Sequence, residues 1–322
     1  MDALYAELLA RIEKEIKQIS IPDEPKNLYE PMRYILSLGG KRVRPVLTLL
    51  GAKLFSDSFE SSLSQALAVE VFHNFTLLHD DMMDGAAIRR QVPTVHKKWD
   101  ENIALLSGDG MLVLAYQLIA NGSPESLANR LELFSKTAME VCEGQQLDMD
   151  YALLDEVPME DYLKMIRLKT AVLLSGSIKL GAMNVGYYGE QLEYLTQFTE
   201  SMGLAFQVQD DYLDAFGGDQ FGKVSGGDIL EGKRTWLTIK AFELANDDQK
   251  KRLRDAYAAP ANESRIKAVM SVYSELEIES LAQTEVESRS DQAIKALELI
   301  DGNADAKKTL SWLVNQLVKR KV

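Results

Sequence analysis

Two long stretches of this chain, residues 46–92 and 159–259, contain no proline, and that absence limits the possible folds more than any other feature. The eight prolines fall at 22, 25, 31, 45, 93, 124, 158 and 260. A proline inside a helix removes a hydrogen bond and clashes with the preceding turn. Long proline-free stretches with apolar residues three and four apart therefore read as long buried helices. Alternating β-branched patterns are nearly absent, so the expected class is all-α. Residues 2–19 are expected to form a helix with Leu4, Leu8, Ile12, Ile16 and Ile19 on one stripe. A second helix is expected over 26–38, stopped by Gly39-Gly40, and a third from about Pro45, where proline fits a first turn. Further helices are expected over 61–84, 100–120 and 125–151, from Pro158 to about 182, and over 189–215. Asn121-Gly122-Ser123-Pro124 separates two of them. After a glycine-rich loop at 217–227, residues 234–322 read as amphipathic helix broken near Pro260 and at Gly302. No linker, low-complexity segment or repeat of fixed period appears, so 1–322 is expected to be a single domain.

The 322 residues are 46% hydrophobic, ample for a sizeable core. A net charge of −13 argues against nucleic acid or anionic lipid as a partner. The single cysteine, Cys142, excludes an internal disulfide and a thiol-rich metal site. The first residues lack a signal-peptide pattern, and no run of 18 apolar residues occurs. A cytoplasmic protein without stable membrane insertion is the default expectation.

The most unusual local feature is Asp80-Asp81-Met82-Met83-Asp84, repeated in spacing as Asp210-Asp211-Tyr212-Leu213-Asp214. On a helix, i and i+4 lie about 40° apart, so Asp80 and Asp84 share a face. Carboxylates this close repel each other unless a cation lies between them. An oxygen-only donor set favours Mg²⁺, Ca²⁺ or Mn²⁺ over zinc or copper. For one such run in an acidic chain, a solvated helix end is the ordinary reading. Two runs argue against it, because each ends an apolar helix: Leu77 and Leu78 precede the first, and Phe206 and Val208 the second.

Cations accompany these clusters. Lys41 and Arg44 follow a glycine pair, Arg89-Arg90 follow the first cluster, and Lys169-Thr170 lie mid-helix. Lys223 and Lys233 lie in and after the glycine-rich loop. Each alone reads as a surface salt-bridge partner. Together with metal-binding carboxylates they make the inventory for a diphosphate held through Mg²⁺. No G-x-x-x-x-G-K-[ST] motif is present, so this is not P-loop chemistry. His73 precedes Asp80 by seven residues, about 20° off its face, and can reach the same cavity; a core or capping role is equally compatible with the spacing. His79, His96 and Cys142 read as structural.

These residues resemble the trans-isoprenyl diphosphate synthases, or polyprenyl synthetases. The similarity runs through G-K-x-x-R-P at 40–45, D-D-x-x-D at 80–84 and R-R-x-x-P-T at 89–94. It continues through G-Q-x-x-D at 144–148, K-T at 169–170 and F-Q-x-x-D-D-x-x-D at 206–214. It ends with G-K-x-x-G-x-D at 222–228 and Lys233. The resemblance implies an isoprenoid synthase-type bundle of long antiparallel helices around a central cavity, usually as a homodimer. It implies condensation of isopentenyl diphosphate with an allylic diphosphate, with three Mg²⁺ per active site. Asp80 and Asp84 would ligate two ions with Asp81 in support, and Asp210 a third with Asp211 and Asp214 near it. Arg89, Lys169, Lys233 and nearby Lys223 would grip the allylic diphosphate. Lys41, Arg44, His73 and Arg90 would grip isopentenyl diphosphate, and Thr170 and Gln207, beside Phe206, would line the reacting carbons. Three departures stand out. Gln91 replaces a frequent glycine, the 217–222 loop is short and lacks a common proline, and no two-residue insertion splits the first aspartates.

Product length in this family depends on bulk before the first cluster. A helix wheel aligns Thr76 best with Asp80, with Phe72 flanking and Phe75 about 140° away. The weight on Phe75 comes from the family. One phenylalanine there without an aromatic at 76 resembles short-chain synthases, geranylgeranyl (C20) makers first and farnesyl (C15) makers second. Two other classes compete. A class I terpene cyclase would need neither a second intact D-D-x-x-D nor cations for a second diphosphate. A non-catalytic subunit of a heteromeric synthase would show an eroded acidic cluster.

Overall fold

The computed structural model describes residues 1–154, 156–217 and 226–318. In chain order the helices are α1 (Ala3–Ile16), α2 (Lys26–Ser37), α3 (Val43–Phe55) and α4 (Leu63–Met83). A hairpin of β1 (Ile88–Arg89) and β2 (Val92–Pro93) follows, then α5 (Val95–Lys98), α6 (Glu101–Ala120), α7 (Leu127–Ala152) and α8 (Met159–Ile166). A π-helical turn, Arg167–Ala171, leads into α9 (Val172–Asn184). The remainder is α10 (Gln191–Phe216), α11 (Gly227–Glu231), α12 (Trp236–Leu244), α13 (Asp247–Ala258), α14 (Glu263–Glu275), α15 (Ile278–Glu298) and α16 (Ala304–Val318). The expected all-α class holds, and among the described residues the hairpin supplies the only strands.

The backbone gathers into two compact units. One comprises Met1–Lys136, Gly176–Leu192 and Asp301–Thr309; the other comprises Thr137–Ser175, Glu193–Ile300 and Leu310–Val322. In the first unit α4 packs against α1, α2, α3 and α6. The α1 stripe is Tyr5, Leu8, Ile12 and Ile16; Tyr5 replaces the expected Leu4 because its hydroxyl also donates to the Lys41 carbonyl at 2.6 Å. α3 and α9 touch backbone to backbone. A Cβ at Gly51 would lie 2.0 Å from the Ile178 carbonyl oxygen, and one at Gly181 would lie 1.8 Å from that of Thr48. α6 is long and apolar enough to cross a membrane, with mean hydropathy 1.6 over its best window, yet it packs on α2 and α4 and carries Asp109.

In the second unit the C-terminal helices break in more places than expected. Besides the breaks at Pro260 and Gly302, the chain turns at Asn246, which starts α13 with a capping box to Gln249, and at Glu277, which holds φ 53°. The hairpin at 88–93 was also not expected. Its register sets Ile88 opposite Pro93 and Arg89 opposite Val92, with Arg90 and Gln91 both left-handed at φ 50° and 67°. Two left-handed residues make the tight two-residue turn that glycine favours, which is the physical setting of the Gln91 departure. Most of the glycine-rich 217–227 loop, with Lys223, lies outside the described residues.

Candidate active site

Helical periodicity sorts the carboxylates at the end of α4. The Asp84 N–H donates to the Asp80 carbonyl at 2.9 Å, so the two stand one turn apart. Asp84 is exposed and Asp80 half-buried. Asp81, about 100° round the helix, turns inward and is buried. Arg89 meets it there: Nε donates to both carboxylate oxygens at 2.8 Å, and Nη2 lies 2.7 Å from Oδ1. Arg89 Nη2 also lies 3.8 Å from Asp80 Oδ2. Burial acts to lower the Arg89 pKa, but Asp81, then Asp80 and Asp84, carry it above the ordinary arginine value.

The hairpin turn aims Arg90 at the glycine pair. Its Nη1 donates to the Gly39 carbonyl, and a Cβ on Gly40 would lie 3.1 Å from its Nη2. Arg44 Nη1 lies 3.0 Å from His73 Nε2. Burial draws Arg44 down to about 10, with Arg90 adding to the effect. Burial and then the charges of Arg44, Arg90, Arg89 and Arg42 hold His73 well below the ordinary histidine value, so its ring is neutral. The structure therefore brings together three of the expected isopentenyl-diphosphate residues, Arg44, His73 and Arg90. Lys41 is exposed nearby, its carbonyl held by Tyr5.

In the second unit, α10 repeats the sorting. Asp210 is exposed, and Asp211 turns inward and is buried. Asp211 Oδ2 accepts from the Tyr162 hydroxyl and the Trp236 N–H, both at 2.9 Å, and Oδ1 accepts from Gln207 Nε2 at 3.0 Å. Burial pushes its pKa up to about 7 against the pull of those hydrogen bonds. Asp214 Oδ2 accepts from the Asp228 N–H at 2.9 Å, fixing the start of α11. Lys233 Nζ lies 3.1 Å from Asp228 Oδ1 and 2.8 Å from Glu231 Oε2; these acids outweigh burial and raise its pKa. Lys169 and Thr170 lie in the π-helical turn, a distortion frequent at functional sites. Lys169 Nζ donates to Asp148 Oδ2 at 2.6 Å. Gly144, one turn before Asp148, lets α7 approach that turn: a Cβ there would lie 2.2 Å from the Lys169 nitrogen. Phe206 is half-buried beside Gln207.

Residues 25–276 match the Polyprenyl synthetase family. The chain belongs to the polyprenyl synthetases. Geranylgeranyl diphosphate synthase of Methanosarcina mazei is 39% identical over 237 residues, 73% of each chain. A short chain isoprenyl diphosphate synthase of Methanocaldococcus jannaschii is 40% identical over 248 residues, 76% of this chain and 75% of that one. A crystal structure of geranylgeranyl pyrophosphate synthase matches with a TM-score of 0.93 at 40% identity, covering 100% of both chains. The all-α isoprenoid synthase fold and the assignment to prenyltransferases both follow.

In this polyprenyl synthetase the residues before the first cluster face different ways. Thr76 is half-buried, its hydroxyl donating to the His73 carbonyl at 2.8 Å. Phe72 is fully buried, with ring centroids 5.3 Å from Phe134 and 5.5 Å from Phe75. Phe75 packs 4.8 Å from His79, whose Nε2 lies 3.1 Å from the Leu105 carbonyl of α6. Phe75 thus accompanies His79 toward α6, as the wheel indicates.

Several partners in the site were not anticipated from sequence. Arg42 anchors the 39–44 stretch by pairing with Glu13 and Glu70. Asp148 holds Lys169, and Tyr162 and Asp228 hold the second cluster. Spacing signals existed for Gly144 and Asp148, one turn apart in G-Q-x-x-D, and for Asp228, which ends G-K-x-x-G-x-D. No group of three or more His, Cys, Asp or Glu side chains is assembled around a metal position among the described residues. Mg²⁺ needs only one or two carboxylates when phosphate oxygens and water complete its octahedron. In the first unit the oxygen donors of Asp80 and Asp84, with Arg89 3.8 Å from Asp80, suit that ion, and in the second unit exposed Asp210 offers the same donor chemistry.

Proposed function

We propose that this chain is a Mg²⁺-dependent trans-prenyltransferase that condenses isopentenyl diphosphate with dimethylallyl, geranyl or farnesyl diphosphate. Its end product is geranylgeranyl diphosphate (C20), and diphosphate is released. The observation that carries this reading is the seat of neutral His73 against Arg44, with the charge of Arg90 acting on both. So much positive charge around an uncharged ring calls for an anion of its own, besides one served by Lys169 and Lys233. A terpene cyclase has one diphosphate to bind; a condensing enzyme has two.

Asp80, Asp84 and Asp210 would ligate Mg²⁺, up to three ions in all. Bound Mg²⁺ supplies neutralisation of the charge that grows on the leaving diphosphate. Asp81, Asp211 and Asp214 act behind them by fixing Arg89, Gln207 and Asp228. Arg89, Lys169, Lys233 and Lys223 hold the allylic diphosphate; Lys41, Arg44, His73 and Arg90 hold isopentenyl diphosphate. The allylic C–O bond breaks with its electron pair leaving on diphosphate. The isopentenyl alkene attacks the allylic carbon, and loss of a proton from the adjacent carbon restores a double bond. Thr170 and Gln207 line the reacting carbons. A strong side-chain base is unnecessary, because released diphosphate can accept the proton. Phe75, with Phe72 and Thr76, limits product length. Names of relatives support C20; farnesyl diphosphate (C15) is the second reading. A homodimer in the cytoplasm is the working form; exposed Leu105, Leu106 and Val113 on α6 support the dimer.

The test is incubation with Mg²⁺, isopentenyl diphosphate and each allylic primer, reading diphosphate release and product length. No release with any pair refutes the synthase. Asp80→Ala is expected to abolish turnover, and near-parental activity would remove its metal role.

A further inference from the structure

We propose that Arg265, on α14, is a positioning residue for Lys233. The proposal rests on the reading that Lys233 holds the allylic diphosphate.

Arg265 lies where two helices end. Its Nη1 donates to the Leu230 carbonyl at 2.8 Å, in the last turn of α11. Its Nη2 donates to the carbonyls of Tyr257, at 3.1 Å, and Ala259, at the end of α13. The last carbonyls of a helix have no partner within it, and a cation there also meets the negative end of the helix dipole. One guanidinium thus fastens α11 to the α13–α14 junction. Ile266 adds a steric brace: a Cβ at Gly226, which holds φ +85°, would lie 3.1 Å from its Cγ2.

The piece so fastened carries site residues and little else. α11 is only five residues long, too short to be stable alone. At its start the Asp228 N–H is held by Asp214. At its end the Gly232 carbonyl accepts from Arg234 Nη1 at 3.2 Å, and Arg234 Nε is tied to the Leu154 carbonyl at 2.9 Å. Lys233 follows directly, its N–H donating to the Asp228 carbonyl at 3.0 Å and its ammonium paired with Asp228 and Glu231. The backbone before Lys233 is therefore fixed at three points: Asp214, Arg265 and Arg234. Of these, Arg265 is the one most remote in sequence, and besides α11 it holds only the carbonyls at the end of α13. It is half-buried, and its hydrogen bonds go to carbonyls.

The test uses the full chain carrying Arg265→Met, Arg265→Lys, Lys233→Ala, or Arg265→Met with Lys233→Ala. Arg265→Met is expected to raise KM for the allylic diphosphate on the order of tenfold, equivalent to about 1.4 kcal/mol. KM for isopentenyl diphosphate should stay within about twofold, because a uniform loss of binding marks general damage rather than positioning. Arg265→Lys should recover part of the loss, and adding Arg265→Met to Lys233→Ala should cause no further rise. Equal increases in both KM values, or a full allylic increase in the Lys233→Ala background, overturn the proposal. A second arm needs no substrate. Amide hydrogen exchange at residues 228–233 should quicken in Arg265→Met while α12 keeps parental rates. Parental exchange at 228–233 overturns the proposal, whereas a parent chain without condensing activity refutes only the proposed reaction.

Discussion

Glu70→Gln offers the sharpest test of how the basic half of the site is held. Glu70 lies on α4, ten residues before Asp80, with its side chain 2% exposed. Its Oε1 accepts from Arg42 Nη1 at 2.5 Å and from Asn74 Nδ2 at 2.8 Å. Arg42 is equally buried, at 1%, and also reaches Glu13 Oε1 at 2.7 Å and the Leu36 carbonyl at 2.9 Å. It is the N-cap of α3 in a left-handed conformation, φ 50°, a position its contacts must enforce. Removing one member of a buried pair costs about 3–5 kcal/mol, because the other charge stays buried. Glutamine keeps an acceptor and Glu13 remains, so the lower end, about 3 kcal/mol, is expected. Replacing both partners, Arg42→Met with Glu70→Leu, removes the stranded charge and should recover at least half of that loss. Urea unfolding followed by circular dichroism gives the differences, read at unchanged m value. A Glu70→Gln chain within about 1 kcal/mol of the parent would refute the reasoning, since that is the range of an exposed pair. So would a double variant less stable than Glu70→Gln alone.

Three further outcomes are expected. Gly144→Ala places a methyl 2.2 Å from the Lys169 nitrogen, where only backbone can give way; prenyl transfer should fall at least on the order of tenfold, and parental rates would refute the close-packing role of Gly144. Phe75→Ala should lengthen the product beyond that of the parent; an unchanged chain length on product analysis removes Phe75 as a floor. In protein freed of metal by chelation, Asp211 has a folded pKa raised to about 7, above its value in the unfolded chain. The folded state then binds the extra proton, so its contribution is present at acid pH and is lost as pH rises from about 4 to about 7. Asp211→Asn lacks that loss, and its oxygen can face Tyr162 and Trp236 while Gln207 flips. Its stability relative to the parent should therefore climb across that window, and a flat difference in denaturation midpoints would show that Asp211 does not titrate there.

Local chemistry made much of the fold legible. Proline placement and apolar spacing located the long helices, because both act within one or two turns. The Asn246–Gln249 capping box is equally local. The left-handed Glu277 and the hairpin at 88–93 carried no comparable signal: neither glycine nor an Asn-Gly pair marks them, and tertiary contacts hold the backbone there. The site divides along the same line. Spacing alone puts Asp80 with Asp84 and turns Asp81 some 100° away, and it does the same at Asp210, Asp211 and Asp214. What spacing cannot supply is the partner that receives the inward carboxylate. For Asp81 it is Arg89, eight residues on; for Asp211 it is Tyr162 and the Trp236 backbone, 49 and 25 residues away. A D-D-x-x-D run on a buried helix therefore serves two ends. Its first residue faces outward, and its second must find a donor in the core or carry the cost of an unpaired buried charge. That requirement explains why Arg89 stands so close after the first cluster, and why α8 and α12 meet α10 at Asp211.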